Sequence, residues 1–334
     1  MVTIKDVAAH AGVSTATVSY VLNGQGSIPA ETQRRVWESV TTLQYHPRHA
    51  ARAMRGRSHT LGVSIARGYD RLADPAAAEV LAGMADAASQ RGLSLLLIPR
   101  TDDPAAGCVQ VARSGQVDGV VLFDPEHADA RLDALVAAGI AHVCIGQVGA
   151  VWVTHDVALG MTQAVQHLVH LGHRAIGLIA PDPELVSSDW YVESYMAAME
   201  AQGLMVPEGG VLAGGRREAD GEAAMAELLA LDERITAVIA ASDELAYGAM
   251  RAIRDAGLVV GRDVSLMGFD DLPPAAYLQP PLTTLRQPRY DMGVAAIGLL
   301  EAQVTHATPA QTHLVLAPKL IIRASTGQMV MHDS

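Results

Sequence analysis

Near the N-terminus the apolar positions recur at helical spacing, whereas beyond Thr60 they gather into short continuous runs. Ile4, Val7, Ala8 and Ala11 fall on one face of a predicted first helix. Thr3 is placed to cap that helix, with Asp6 three residues on in a capping-box-like position. Gly12 permits a sharp turn, and Ser14 caps a second helix, Thr15 to Leu22, with the apolar face Val18, Val21 and Leu22. A third helix runs from about Pro29 to Leu43 and presents Val36, Val40 and Leu43, with Pro29 suited to its first turn. Ala8, Gly12 and Val18 together have helix-turn-helix spacing: a small residue where the helices cross, glycine in the turn, and a β-branched residue packed between them.

The later runs read as strands: Leu61–Ala66, Ser94–Pro99, Gly119–Phe123, Ala141–Gly146, Ala175–Ala180, Ala237–Ala241 and Val264–Phe269. They are continuous rather than alternating, as expected of parallel strands buried on both faces. Helical segments such as Ala76–Arg91 and Asp243–Ala256 lie between them and end near Gly92 and Gly257. This is α/β alternation, with more units than one open sheet holds, so two sheets are expected.

Composition sharpens the division. Half of the 334 residues are hydrophobic, so large cores are available, but aromatics make up only 4%, so Ala, Val and Leu must fill them. The two cysteines, Cys108 and Cys144, exclude a disulfide scaffold and a thiolate zinc site. The N-terminal segment lacks the apolar run of a secretory signal, and no stretch approaches a membrane span, so a soluble cytoplasmic protein is expected. The formal charge of −12 averages two unlike parts. Residues 1–59 hold seven basic and three acidic groups, a net of +4, and the remainder holds 17 and 33, a net of −16. A basic head on an acidic body points to nucleic-acid contact confined to the head.

The string TIKDVAAHAGVSTATVSYVLNG, continuing through LQYHPRHAARAMRGRSHTLGV, resembles the DNA-binding domain of the LacI family of bacterial transcription regulators, and the resemblance extends to about Arg323. It implies that the second helix enters the major groove, with Thr15, Ala16, Thr17, Ser19 and Tyr20 facing bases and Thr3, Ser14 and Asn23 near the backbone. Tyr20 stands where relatives commonly carry Arg and cannot make arginine's bidentate contact to guanine, so the bases opposite it should differ or be read less strictly. The segment Arg48–Arg55 matches the family's hinge helix, too short to be stable alone and expected to form on DNA beside its twin. Met54 occupies the position of the apolar minor-groove wedge, with Arg52 and Arg55 offering neighbouring contacts.

The implied fold is a small all-α helix-turn-helix head (1–46), a hinge and linker (47–59), an α/β core (60–327) and a tail (328–334). The core would comprise two doubly wound parallel-sheet subdomains, as in periplasmic sugar-binding proteins, one spanning about 60–156 and 285–318, the other 157–284 and 319–327. A ligand would lie between them, beyond the strands' carboxyl ends. By resemblance Asp156, Ser242, Asp270 and Phe123 face this cleft. Asp271 reads as structural and Asp243 as a helix cap. The arginine that usually grips the effector is replaced by Tyr191, and the usual aromatic pair by Ala76 and Ala77. Trp190 and Tyr191 either supply a stacking surface from the opposite wall or pack under the next helix.

The histidines of HLVHLGHR (His167, His170, His173) follow a family string rather than a metal motif, with His173 and Arg174 suited to a helix C-terminus. No nucleophile elbow, P-loop or zincin motif is present, and neither a cofactor nor a metal is expected. The resulting expectation is a non-enzymatic regulator, most often a repressor in this family. It would bind a pseudo-palindromic operator DNA as a homodimer under control of a small-molecule effector, for instance a sugar. The short tail, GQMVMHDS, favours a dimer over a dimer of dimers. The alternative from another class is a solute-binding protein without a regulatory role.

Overall fold

The computed structural model describes residues 2–22, 28–43, 57–65, 75–98, 101–123, 125, 128–183, 185–231, 235–307 and 311–329. The expected hinge contacts Arg52, Met54 and Arg55, and Asn23, lie outside the described residues.

Among the described residues the N-terminal unit has three helices: α1 (Ile4–Ala11), α2 (Thr15–Leu22) and α3 (Ala30–Thr42). Thr3 N and Oγ1 both donate to Asp6 Oδ2 at 2.7 Å, which fixes the start of α1 and holds the Asp6 carboxyl below its usual range. Gly12 ends α1 at φ +66°, and a Cβ there would meet nothing within 4 Å. Backbone conformation, not space, therefore requires the glycine. The Ser14 hydroxyl accepts from the Thr17 amide at 3.0 Å and opens α2. Val7, Ala8, Ala11, Val18, Val21 and Val36 form the miniature core, and His10 Nδ1 meets Ser39 Oγ at 2.9 Å between α1 and α3.

The larger unit contains two six-stranded sheets. The first consists of β1 (Thr60–Ile65), β2 (Ser94–Ile98), β3 (Gly119–Phe123), β4 (His142–Ile145), β5 (Trp152–His155) and β11 (His313–Leu316). The second consists of β6 (Ile176–Ala180), β7 (Val211–Ala213), β8 (Ala237–Ala240), β9 (Ser265–Asp270), β10 (Thr283–Arg286) and β12 (Lys319–Ile321). Their orders, β2-β1-β3-β4-β5-β11 and β7-β6-β8-β9-β10-β12, are the same doubly wound order used twice. Every pairing is parallel except β10 with β12. The central strands β1, β3, β6, β8 and β9 are buried throughout, which accounts for their continuous apolar runs.

The chain passes between the sheets three times: after His155, after Arg286, and between Leu316 and Lys319. Because β10 runs to Arg286 within the second sheet, the second passage falls just beyond the expected 285. The helix that follows, Arg289–Val304, packs along Pro75–Gln90 on the first sheet. Glycines permit this approach. A Cβ on Gly83 would lie 2.0 Å from the Tyr290 carbonyl oxygen, and one on Gly293 2.1 Å from that of Val80. Among the described residues no helix is long and apolar enough to cross a membrane.

Candidate functional site

The carboxyl ends of both sheets converge on a cavity of about 190 Å³. From the first sheet come Phe123, Ile145, Gly146, Thr154 and His155, with Ala76, Ala77 and Val80 of the following helix. From the second come Trp190, Tyr191, Arg216, Ser242, Glu244 and Asp270. Gln287 and Arg289, on and just after the second crossover, complete the floor. This is where open α/β sheets bind ligands, since loops and helix N-termini meet at the strand ends.

Asp270 organises the polar floor. Its Oδ1 accepts from Gln287 Nε2 at 3.1 Å and pairs with Arg289 Nη2, and its Oδ2 accepts from the Asp243 amide at 3.1 Å. Asp243 lies directly behind and is fully buried. Its carboxylate accepts from Thr284 Oγ1 at 2.5 Å and from the Leu272 amide at 2.8 Å. Burial, then the Asp270 carboxylate, pushes the Asp243 carboxyl up to about 7. The folded chain therefore holds a proton that the unfolded chain releases near pH 4. The stabilisation is complete below pH 4 and is lost as pH rises towards 7. Urea unfolding from pH 4 to 8 should show wild type losing stability relative to Asp243→Asn; parallel curves would refute the buried proton.

Tyr191 is buried edge-on against Phe269, with ring centroids 5.1 Å apart, and its hydroxyl reaches His155 Nε2 at 3.3 Å and accepts from Gln287 Nε2 at 3.4 Å. Burial, then the Arg289 charge, lowers the His155 imidazole to about 3, so the ring is neutral. On the second sheet's wall Arg216 Nε donates to Asp182 Oδ2 at 2.8 Å.

In the N-terminal unit Thr15, Ala16 and Tyr20 face solvent on α2, and Tyr20 is 49% exposed. Thr17 is half-buried and shares a 2.9 Å hydrogen bond with Ser14.

Residues 3–48 match the bacterial regulatory proteins of the lacI family, and residues 165–326 match the periplasmic binding protein-like domain. The chain is 30% identical to the HTH-type transcriptional repressor PurR of Mannheimia succiniciproducens, over 98% of this chain and 100% of that protein. The chain belongs to the lacI family. It is 33% identical to the HTH-type transcriptional regulator CelR of Thermobifida fusca, over 97% of this chain and 98% of that one. Among solved structures, a CelR–cellobiose complex superposes with a TM-score of 0.75 at 31% identity, covering 97% of this chain and 100% of that one. A Lac repressor dimer bound to operator and the anti-inducer ONPF superposes with a TM-score of 0.84 at 25% identity, covering 98% and 99%. The chain is thus a DNA-binding transcription regulator of this family.

Against that lacI frame, several side chains depart from their expected places. Ser19 is only 5% exposed and so is far less open than Tyr20 beside it on α2. Asp156 is not among the cavity-lining residues; its Oδ1 caps the helix Val157–His170 by accepting from the Leu159 amide at 2.9 Å. The cap expected at Asp243 is made one residue earlier, where Ser242 Oγ accepts from the Leu245 amide at 3.1 Å, which leaves the Asp243 carboxylate to the buried floor. Tyr191 lines the cavity and packs edge-on against Phe269 of β9, a strand, rather than under the next helix. Phe123, Trp190, Ser242 and Asp270 reach the cavity. Asp271 is held by Arg286 and Arg323. His173 lies just beyond the C-terminus of the helix Val157–His170. Burial lowers its imidazole, which sits between Thr236 Oγ1 and the Gly327 carbonyl. Cys144 is a core residue. Arg289, Gln287, His155 and Arg216 were not expected in the cleft; each lies at the end of, or shortly after, a strand of only three or four residues.

Proposed function

We propose that this regulator is a cytoplasmic repressor that binds a pseudo-palindromic operator as a homodimer, controlled by a neutral polyhydroxylated molecule in the cleft. One observation carries this reading: a single chain joins a trihelical unit with Thr15, Ala16 and Tyr20 exposed on its second helix to a two-sheet unit with a polar cavity at its strand ends. The charges at the cavity favour a neutral ligand. Asp270 is paired with Arg289 and Asp182 with Arg216, and a charged ligand would have to break such a pair or be desolvated beside it. Trp190 and Phe123 bring aromatic rings to the cavity wall. Ligand binding would act by favouring one arrangement of the two sheets and hence one state of the hinge.

Gel-shift titrations with promoter fragments adjoining the gene, at two salt concentrations, test DNA recognition. Binding should be sequence-specific and weaken with salt. Tyr20→Ala should relax base preference at one position of each half-site, at a cost of about 1–3 kcal/mol. Met54→Gly should weaken specific binding far more than non-specific binding, if Met54 is the wedge. Equal losses on all fragments would refute both roles.

Dimerisation is supported by the edge strand β2, where Leu97 is 48% exposed and Leu95 and Leu96 are half-buried. An exposed apolar sheet edge is a template for association. Sedimentation equilibrium at micromolar concentration should give a dimer and Leu97→Asp should shift it towards monomer, whereas a wild-type monomer would exclude the homodimer.

A further inference from the structure

The two groups of the cavity's central ion pair come from different sheets. Asp270 is the last residue of β9 in the second sheet. Arg289 is the first residue of the helix that packs on the first sheet, and the Gly83 and Gly293 approaches leave that helix little freedom to shift. Across the cleft, Arg289 Nη1 donates to the Asp270 carbonyl at 3.3 Å and Nη2 pairs with its carboxylate. Arg289 is 8% exposed and Asp270 6%, and both line the cavity. Tyr191, which stands in place of the family's usual effector-gripping arginine, brings no charge.

We infer that Arg289 is the specificity-determining cation of this cleft: it grips the ligand from the first sheet while Asp270 grips it from the second, and together they select adjacent hydroxyls on a neutral ring. A guanidinium beside a carboxylate offers a donor next to an acceptor, and a vicinal diol is the complement. A ligand carboxylate or phosphate would compete with Asp270 for Arg289 and meet repulsion from Asp270 and Glu244. A ligand ammonium would be drawn to Asp270 and Glu244 but repelled by Arg289 and Arg216. Lysine would keep the charge but lose the planar fork, so it is not an equivalent residue here.

The inference rests on the cleft-effector reading above, and calorimetry on the full-length protein separates the two. The probes are glucose, ribose and cellobiose as neutral polyols, with glucosamine, glucuronate and glucose 6-phosphate as charged counterparts. Wild type should bind a neutral probe more tightly than its charged counterparts. Arg289→Lys, with its fold checked by circular dichroism, should weaken that probe at least about tenfold and narrow the gap to the charged ones. Two results would each overturn the role of Arg289: unchanged affinity and discrimination in Arg289→Lys, or wild-type preference for a charged probe. The second needs no variant to fold. If wild type bound none of the six, the neutral-polyol effector reading would fall and Arg289's role with it.

Discussion

Gly248→Ala is expected to remove roughly 3 kcal/mol of stability from the two-sheet unit. A Cβ on Gly248 would lie 1.7 Å from the Glu218 carbonyl oxygen and 2.7 Å from Glu218 C and Glu222 N. All three are backbone atoms, so no flexible side-chain end can give way. The facing glycine, Gly221, stands in the same relation to Leu245, with a Cβ–oxygen distance of 2.1 Å. The helices Glu218–Leu229 and Asp243–Asp255 therefore touch along their backbones and must separate to admit a methyl group. They begin just after Arg216 and Ser242, both on the cavity wall, so the same substitution should change ligand affinity as well as stability. Urea unfolding should show a lower midpoint at unchanged slope. A loss below about 1 kcal/mol would mean that the helices slide apart without penalty.

Arg131→Met should be comparably damaging, by about 3–5 kcal/mol. Arg131 and Asp129 are paired in the interior, with Nη2–Oδ2 at 2.5 Å and Nε–Oδ1 at 2.9 Å, both side chains 5% exposed. Arg131 Nη1 also donates to the Ser64 carbonyl at 3.3 Å and its hydroxyl at 3.2 Å, and so ties the start of the helix Ala130–Ala137 to β1. Removing the arginine strands a buried carboxylate, and that desolvation dominates the expected loss. The double substitution Asp129→Asn with Arg131→Met should therefore be more stable than Arg131→Met alone. A double substitution that is no more stable would refute the buried-charge explanation.

How much of this was legible in the sequence depended on local signals. β1 and β9 were, because strands buried on both faces show as unbroken apolar runs. The ends of Pro75–Gln90 and Asp243–Asp255 were, because Gly92 and Gly257 take φ of +66° and +78°. The strands Val211–Ala213, His313–Leu316 and Lys319–Ile321 were not: they have three or four residues, partly exposed, and no run to detect. Trp152–His155 and Thr283–Arg286 mix polar and apolar residues over four positions, too short to show a period. Within the site, Asp270 was legible because it directly follows an apolar strand. Arg289 was not, because an arginine after Pro288 reads as surface until the fold carries it across the cleft to Asp270. Asp243 and Ser242 are both good caps, and spacing does not reveal which of them is buried.

The three passages of the chain between the sheets have a consequence for inheritance. The three helices of the N-terminal unit lie on one continuous stretch, residues 4–42, so a single recombination joint could exchange one DNA-reading unit for another. Neither sheet is contiguous: each is assembled from separate stretches of the gene, with ends at His155, Arg286, Leu316 and Lys319. Replacing the second sheet's half would take three simultaneous joints, and replacing the first sheet's half beside an unchanged N-terminal unit would take four. One joint therefore exchanges the DNA-reading unit or the whole ligand-binding unit, while a single wall of the cleft changes most simply residue by residue.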